Sequence, residues 1–274
     1  MQQIKKGIRK ILRAIGFDVV RTNLVKSEGF YITGSEFGWD AFCDMGHLIG
    51  AQSEITIFDI GANVGQSAGK FSKLFPHATI HSFEPSPSTF RDLVANCASM
   101  PWVRPWNLGV GSSLGSLELI ENSNPDMSSF LAPGEATWGE IVRSTEVPIT
   151  TLDQFAKERG IDFIHILKSD TQGYDFEVLK GASGLLANQK IGFVHFEFIF
   201  SNMYANLPPF EEIFSFLSER GYRLVSFYDI CYQNKVASWM DALFVSSKFK
   251  AEHFKSDNHV VFPAGKNPFA QPAR

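Results

Sequence analysis

The chain has 274 residues, is 44% hydrophobic and carries a formal net charge of −4, which fits one globular domain with extensions and a full buried core. So slight an acidity leaves no basic footprint for nucleic acid and gives no reason to expect a polycationic partner. Cys43, Cys97 and Cys231 are odd in number and widely spaced, with no CxxC, so neither a disulfide framework nor a zinc site is expected, and a reducing, cytoplasmic compartment is.

Met1 to Lys26 is locally basic, with Lys5, Lys6, Arg9, Lys10, Arg13, Arg21 and Lys26 set against Asp18. Ile4, Ile8, Ile11, Leu12 and Ile15 recur at helical spacing between those cations, which predicts an amphipathic helix stopping near Gly16. Charges interrupt every apolar run there, so it does not read as a signal peptide. No apolar stretch of about 18 residues occurs elsewhere, so no membrane-spanning helix is predicted. Two roles stay open for the helix: packing on the domain or on a second subunit as a homo-oligomer contact, or peripheral contact with a membrane surface. Val25 to Ser53 contains GFYITGSEFGWDAF, too aromatic for a flexible linker, and is expected to cover the cofactor cleft. Residues 1–54 thus form an extension, 55–247 the domain proper, and 248–274 a tail.

Ile55 to Lys70 reads ITIFDIGANVGQSAGK. Ile55, Ile57, Phe58 and Ile60 form an apolar run of strand length, apolar on both faces as buried parallel strands are. Helical spacing begins near Val64, so the loop sits at a strand's carboxyl end, where open α/β sheets bind ligands. A phosphate-cradling P-loop needs glycine where Val64 stands and a hydroxyl where Phe71 stands. A dinucleotide loop needs a middle glycine where Asn63 stands, so close approach by a pyrophosphate is disfavoured. A phosphate-free cofactor remains, met by Asp59, by Gly61, Ala62, Asn63 and Gly65 of the loop, and by Glu84 with Pro85 at the end of ATIHSFEPS. A carboxylate at Glu84 suits the two ribose hydroxyls, a role NAD would also use. The missing glycine, with Asp59 free to meet an amino group, selects S-adenosylmethionine. The bland alternative is a tight strand-to-helix turn in which Gly61 and Gly65 merely permit unusual dihedrals.

A helix is expected over Pro87–Cys97, a strand over Val103–Asn107 and another over Ser116–Ile120. Asn107 stands either near the adenine or simply in a turn. Glu121 to Val147 reads as a long polar loop, best used as a lid, with Phe130 and Trp138 offering apolar faces to an acceptor. A strand over Phe163–Leu167 ends in Lys168, Ser169 and Asp170 before a helix from Tyr174 to Leu186. Asp170 therefore faces the crevice and is the first candidate for the acceptor-orienting group or base and for a cofactor contact. Its rival roles are helix capping and pairing with Lys168. The strand Ile191–Phe200 carries His195 and Glu197. Glu197 needs a partner, protonation or a place at the cleft mouth, and is the reserve base. His195 and His165 read as core histidines, and no metal site is expected. A helix over Phe210–Arg220, stopped by Gly221, precedes strands Tyr222–Tyr228 and Asp241–Ser247, joined through Asp229 to Trp239.

FDIGANVGQ, FEPSPSTF, ITTLDQF, LKSDTQGYDFEVLKGA and DALFV resemble, in order and spacing, the motifs of the FkbM family of S-adenosylmethionine-dependent O-methyltransferases. The resemblance covers about Ile55 to Val245. It implies a Rossmann-like class I methyltransferase fold: a seven-stranded, mostly parallel sheet with helices on both faces and an antiparallel last strand. It also implies methyl transfer to a hydroxyl of a sugar, glycan or polyketide-like acceptor. Two rival classes are a NAD-dependent oxidoreductase and a protein that binds S-adenosylmethionine or a glycan without turnover.

Overall fold

The computed structural model describes residues 31–34, 38, 40–50, 54–254 and 260–263. The amphipathic helix expected before Gly16 lies outside the described residues. The chain divides into two units, Glu36–Ser256 and the pair of segments Met1–Ser35 and Asp257–Arg274. In the latter, β1 (Tyr31–Gly34) runs parallel to β12 (Val260–Pro263), with Tyr31 opposite Val260.

Among the described residues the larger unit has ten strands: β2 (Thr56–Ile60), β3 (Thr79–Phe83), β4 (Val103–Trp106), β5 (Gly109–Val110), β6 (Gly115–Asn122), β7 (Ile141–Thr150), β8 (Ile164–Ser169), β9 (Ile191–Ile199), β10 (Tyr222–Gln233) and β11 (Val236–Ser246). Seven of them form one sheet in the order β10-β11-β9-β8-β2-β3-β4. Its five strands from β9 to β4 are parallel, and β11 is antiparallel to both β9 and β10. This is the Rossmann-like methyltransferase sheet that the sequence resemblance implies.

Alternation along the strands sends apolar side chains to both faces. Phe58, Phe83, Leu167 and Phe196 join one core with Leu152, Phe155, Leu179 and Leu217 of the helices Leu152–Arg159, Asp175–Lys180 and Phe210–Glu219. Ile57, Ile80, Ile166 and Phe193 join the other with Met45, Phe71, Leu93 and Phe249 of the helices Ala41–Ile49, Gln66–Leu74, Pro87–Cys97 and Ser247–His253.

Three segments differ from expectation. Glu121 to Val147 is not one loop: β7 begins at Ile141 and pairs with β6. Residues 141–144 are exposed, so no buried alternation marks them as a strand. The join read from Asp229 to Trp239 is instead a long hairpin, because β10 and β11 continue to Asn234 and Lys235, which turn with φ of 50° and 66°. Asn is among the residues that tolerate that region, and paired positive φ makes a tight hairpin turn. The tail does not begin at Lys248: the Ser246 hydroxyl accepts from the Phe249 N–H at 3.0 Å and starts the last helix, which buries Phe249.

The helix Ala41–Ile49 packs Met45 and Phe42 beside Phe71. Within the larger unit, this helix of the segment expected to cover the cleft packs on the core that holds Ile57 and Phe193, and none of its residues lines the cleft. Among the described residues no helix is long and apolar enough to cross a membrane.

Candidate active site

A cleft opens at the carboxyl ends of β2, β3 and β8, between the Gly61–Asn63 loop, Glu84 and Pro85, and the turn Asp170–Gln172. Gly61 has φ of +70°, and a Cβ there would lie 1.9 Å from the Asp170 carbonyl oxygen. Bare backbone is what lets the two loops meet. Gly61→Ala is expected to lose at least about 1 to 2 kcal/mol from left-handed strain alone, with the clash added, as measured by urea unfolding.

Glu84 is 7% exposed. One oxygen accepts from the Asn63 N–H at 2.9 Å and the other from the Ser86 N–H at 2.9 Å. Burial pushes its carboxyl up to about 7, against the pull of those two N–H groups. Each oxygen keeps a lone pair for a further hydroxyl donor. Behind it, the Ser86 hydroxyl donates to Glu121 at 2.9 Å, and the Arg143 guanidinium meets Glu121 at 2.7 Å, holding that carboxyl down at about 2. Arg143 and Glu121 thus fix the turn that presents Glu84. Both belong to the stretch Glu121–Val147 that reads from sequence as a polar loop, where nothing marks them as site residues.

Asn107 does not line the cleft. Its amide donates to the Glu84 and Pro85 carbonyls at 2.8 and 2.9 Å, so it buttresses the end of β3, while Leu108 to Val110 face the cavity. Ala62 is buried and its N–H donates to the Phe83 carbonyl at 2.9 Å. Gly65, with φ of +95°, opens the helix Gln66–Leu74 against Leu93 and Cys97.

Asp59 is not free to meet an amino group. It is wholly buried, and the Lys168 ammonium lies 3.4 Å from it and 3.5 Å from Asp170. Burial opposes the charge on Lys168, but Asp170 and Asp59 outweigh it and hold the ammonium above its usual range. Lys168 also reaches the Gly61 carbonyl at 3.4 Å, so a buried cation ties the glycine loop to Asp170. Asp59 sits behind Gly61 because its side chain alternates to the inner side of β2.

Asp170 is 43% exposed at the side chain and lines the cleft. Besides Lys168, it accepts from the Gln172 amide at 3.0 Å. Gln172, at φ of 55°, also donates to Glu197 at 3.2 Å and accepts from the Tyr204 hydroxyl at 3.0 Å. Glu197 lies behind Gln172 instead of at the cleft. Burial, then Asp170, Asp175 and Asp241, push its carboxyl well above the usual range. Asp175 also ties this turn: it accepts from the Ser169 hydroxyl at 2.5 Å and the Thr171 N–H at 3.2 Å.

His195 is buried with Nε2 3.1 Å from Asp241, and His165 Nδ1 accepts from the Thr56 N–H at 3.0 Å. His165 is thus hydrogen-bonded, whereas His195 faces the Asp241 carboxylate with no hydrogen bond at either ring nitrogen among the described residues. Among the described residues no cluster of three or more His, Cys, Asp or Glu is placed to hold a metal.

The residues between β6 and β7 roof the cleft. Asp126 accepts from the Asn63 amide, the Ser129 hydroxyl donates to the Gln172 carbonyl at 2.8 Å, and Phe130 lines the cavity against Tyr174. Trp138, 39% exposed, packs on Trp239 with centroids 5.9 Å apart.

The model of the Methyltransferase FkbM domain matches residues 59–224, more than half of the chain. The chain belongs to the FkbM methyltransferase family. Three curated relatives are similar to this FkbM-family chain. The 2-O-methyltransferase NoeI of Sinorhizobium fredii is 24% identical over 59% of the chain and 70% of its own length. Methyltransferase sdnD of Sordaria araneosa is 29% identical over 46% and 59%. The hexuronic acid methyltransferase AglP of Haloferax volcanii is 29% identical over 62% and 64%. The matched regions thus span about three fifths to seven tenths of these relatives' lengths. The cofactor of an FkbM methyltransferase domain is S-adenosylmethionine.

Proposed function

We propose that the protein transfers the methyl group of S-adenosylmethionine to a hydroxyl of a sugar-containing or polyketide-like small molecule or glycan. The observation that carries this reading is a cleft with a ribose-type carboxylate, Glu84, beside a glycine loop that has Asn63 where a pyrophosphate loop needs glycine, and a partly exposed carboxylate, Asp170, across it. The names of two relatives, a 2-O-methyltransferase and a hexuronic acid methyltransferase, support a sugar hydroxyl as the acceptor.

The residues fit the cofactor. Asn63 Oδ1 and Thr171 Oγ1, both on cleft-lining residues, are buried polar atoms with no hydrogen-bond partner among the described residues, as expected of groups awaiting a ligand. Glu84 holds the two ribose hydroxyls, with Pro85 beside it. Gly61, Asn63 and Asp170 border the methionine end. Gly65 starts the helix, and Ala62, Asn107 and Asp59 with Lys168 hold the loops in place from behind. When bound, the cofactor supplies a sulfonium-activated methyl. Asp170 orients the acceptor hydroxyl and takes its proton; Lys168 and Gln172 fix its carboxylate, and the roof over Phe130 excludes water. Alignment of donor and oxygen is worth up to about 7 to 11 kcal/mol in the best intramolecular cases, and a base adds about 10²- to 10⁴-fold. The three unpaired cysteines fit a reducing, cytoplasmic setting.

Calorimetry tests the cofactor half of this reading. S-adenosylmethionine and S-adenosylhomocysteine are expected to bind, and NADH is not. Tight NADH binding without the other two would overturn the reading in favour of an oxidoreductase.

A pH dependence follows from Glu84. Hydroxyl donors favour its ionised form, so ligand binding lowers a carboxyl that sits at about 7 when free and releases a proton. Affinity is therefore expected to be weak below that value and to rise through it, by up to about tenfold per pH unit. Adenosine is the right probe, since it has the ribose but no titrating amino group. Its affinity should be higher at pH 8 than at pH 6, and Glu84→Gln should flatten the profile. An unchanged wild-type profile would remove Glu84 from the ribose.

A further inference from the structure

A second depression opens on the sheet face that carries Phe58 and Phe83, at the other end of β2, β3 and β4 from the cofactor cleft. It has a cavity volume of ≈ 450 Å³ and is lined by Thr56, Thr79, His81, Arg104, Trp106 and Arg159 among others. Register brings these together: Thr56 stands opposite Thr79, and His81 opposite Arg104. Arg159 is the last residue of the helix Leu152–Arg159, which packs Phe155 against His81 and Trp106.

Every polar side chain in this lining offers a donor. The Trp106 indole N–H donates to His81 Nδ1 at 3.2 Å, so the neutral ring carries its own proton on Nε2. Burial, with Arg104 and Arg159 nearby, pushes His81 down to about 4 and keeps it neutral. His81 is 4% exposed, yet its Nε2 has no partner among the described residues and its ring lines the depression. The Arg159 guanidinium lies over the Trp106 ring at 4.3 Å. Stacking uses its face and leaves its in-plane N–H groups free. Neither Arg104 nor Arg159 forms an ion pair with a described carboxylate. No carboxylate is among the described residues of the lining.

We propose that this depression binds an oxyanion of the phosphate class, either free phosphate or a phosphomonoester, at a site separate from the cofactor cleft. Two arginines, two threonines and a histidine line it with no carboxylate among the described lining residues, and an oxyanion with several acceptor oxygens would satisfy their donors together. The volume exceeds what one phosphate fills, leaving room for a pendant group. β3 carries Thr79 and His81 at this end and leads to Glu84 at the other, so both sites share one rigid strand without sharing a side chain.

The test titrates the full chain with inorganic phosphate and, separately, with phenyl phosphate, at ionic strength held constant with sodium chloride. The Trp106 indole and His81 imidazole resonances are followed by NMR. Saturable shifts are expected with both probes. Arg104→Gln and Arg159→Gln are each expected to raise the midpoint at least about fivefold, as loss of a charge-assisted bond would. Arg91→Gln, on the helix Pro87–Cys97, should leave it unchanged, and S-adenosylmethionine affinity should not move in any of the three. Tighter binding of phenyl phosphate would identify a phosphomonoester as the ligand; equal midpoints would identify free phosphate. Shifts that never saturate, that chloride alone reproduces, or that Arg91→Gln weakens as much as Arg104→Gln would overturn the proposal. Arg104 is exposed and outside the aromatic stack, so if Arg159→Gln lowers the melting temperature, Arg104→Gln alone decides the matter.

Discussion

Asp170→Asn is expected to lower turnover by at least about 100-fold, the low end of what loss of a general base costs, while melting and S-adenosylmethionine affinity stay near native. A sugar hydroxyl is a very weak acid, so its proton must leave during or after methyl transfer. Asp170 is a solvent-reachable carboxylate lining the cleft beside the glycine loop, whereas Glu197 lies behind Gln172. Asparagine retains the size and the acceptor for the Gln172 amide but removes the basic oxygen. Structure should tolerate the change: Lys168 keeps its pairing with buried Asp59, and one of the like charges that burden Glu197 disappears. Single-turnover kinetics against the melting temperature checks both halves. Turnover within a few fold of wild type would make Asp170 only the partner of Lys168, and the base would have to be sought on the acceptor-facing side of the roof.

Glu84→Ala is expected to weaken S-adenosylmethionine by about 10- to 150-fold, the equivalent of the 1.5 to 3 kcal/mol carried by hydrogen bonds to a charged group. The effect has two parts, because Glu84 also accepts from the Asn63 and Ser86 N–H groups that shape the loop. Glu84→Gln separates them. It keeps one accepting oxygen and the side-chain volume, so a loss close to that of alanine assigns the effect to the carboxylate and the ribose. A much smaller loss assigns it to the loop. The fold should survive both changes, since each removes the desolvation cost of a buried carboxylate. Unchanged affinity in Glu84→Ala would contradict the ribose assignment.

The sheet was legible because its signals are local. Ile55 to Ile60 and Ile191 to Phe200 are apolar on both faces, and only a strand covered by helices on both sides explains that. The start of the glycine loop and the acid ending the next strand were legible for the same reason, since each stands at a fixed offset from a strand end. What failed depends on partners distant in sequence. Asp59 looks like a free acid until Lys168, from a strand later in the chain, is laid beside it. Gln172 becomes a hub only when Asp170, Glu197 and Tyr204 surround it. Glu121 and Arg143 looked like loop residues because the pairing of β6 and β7 is exposed along residues 141–144 and shows no apolar period. Asn234 and Lys235 did carry a signal, since asparagine tolerates positive φ, but without a glycine it is weaker than the common Asn-Gly hairpin.

The most direct measurement follows the methyl group itself. The protein, given S-adenosylmethionine labelled with deuterium in its methyl group and a panel of sugars, glycans and hydroxylated polyketides, should yield S-adenosylhomocysteine and a labelled methyl ether in equal amounts. Mass spectrometry with fragmentation would place the label on a hydroxyl oxygen, and Asp170→Asn would slow its appearance. Label found on a nitrogen or as a carboxylate ester would contradict transfer to a hydroxyl.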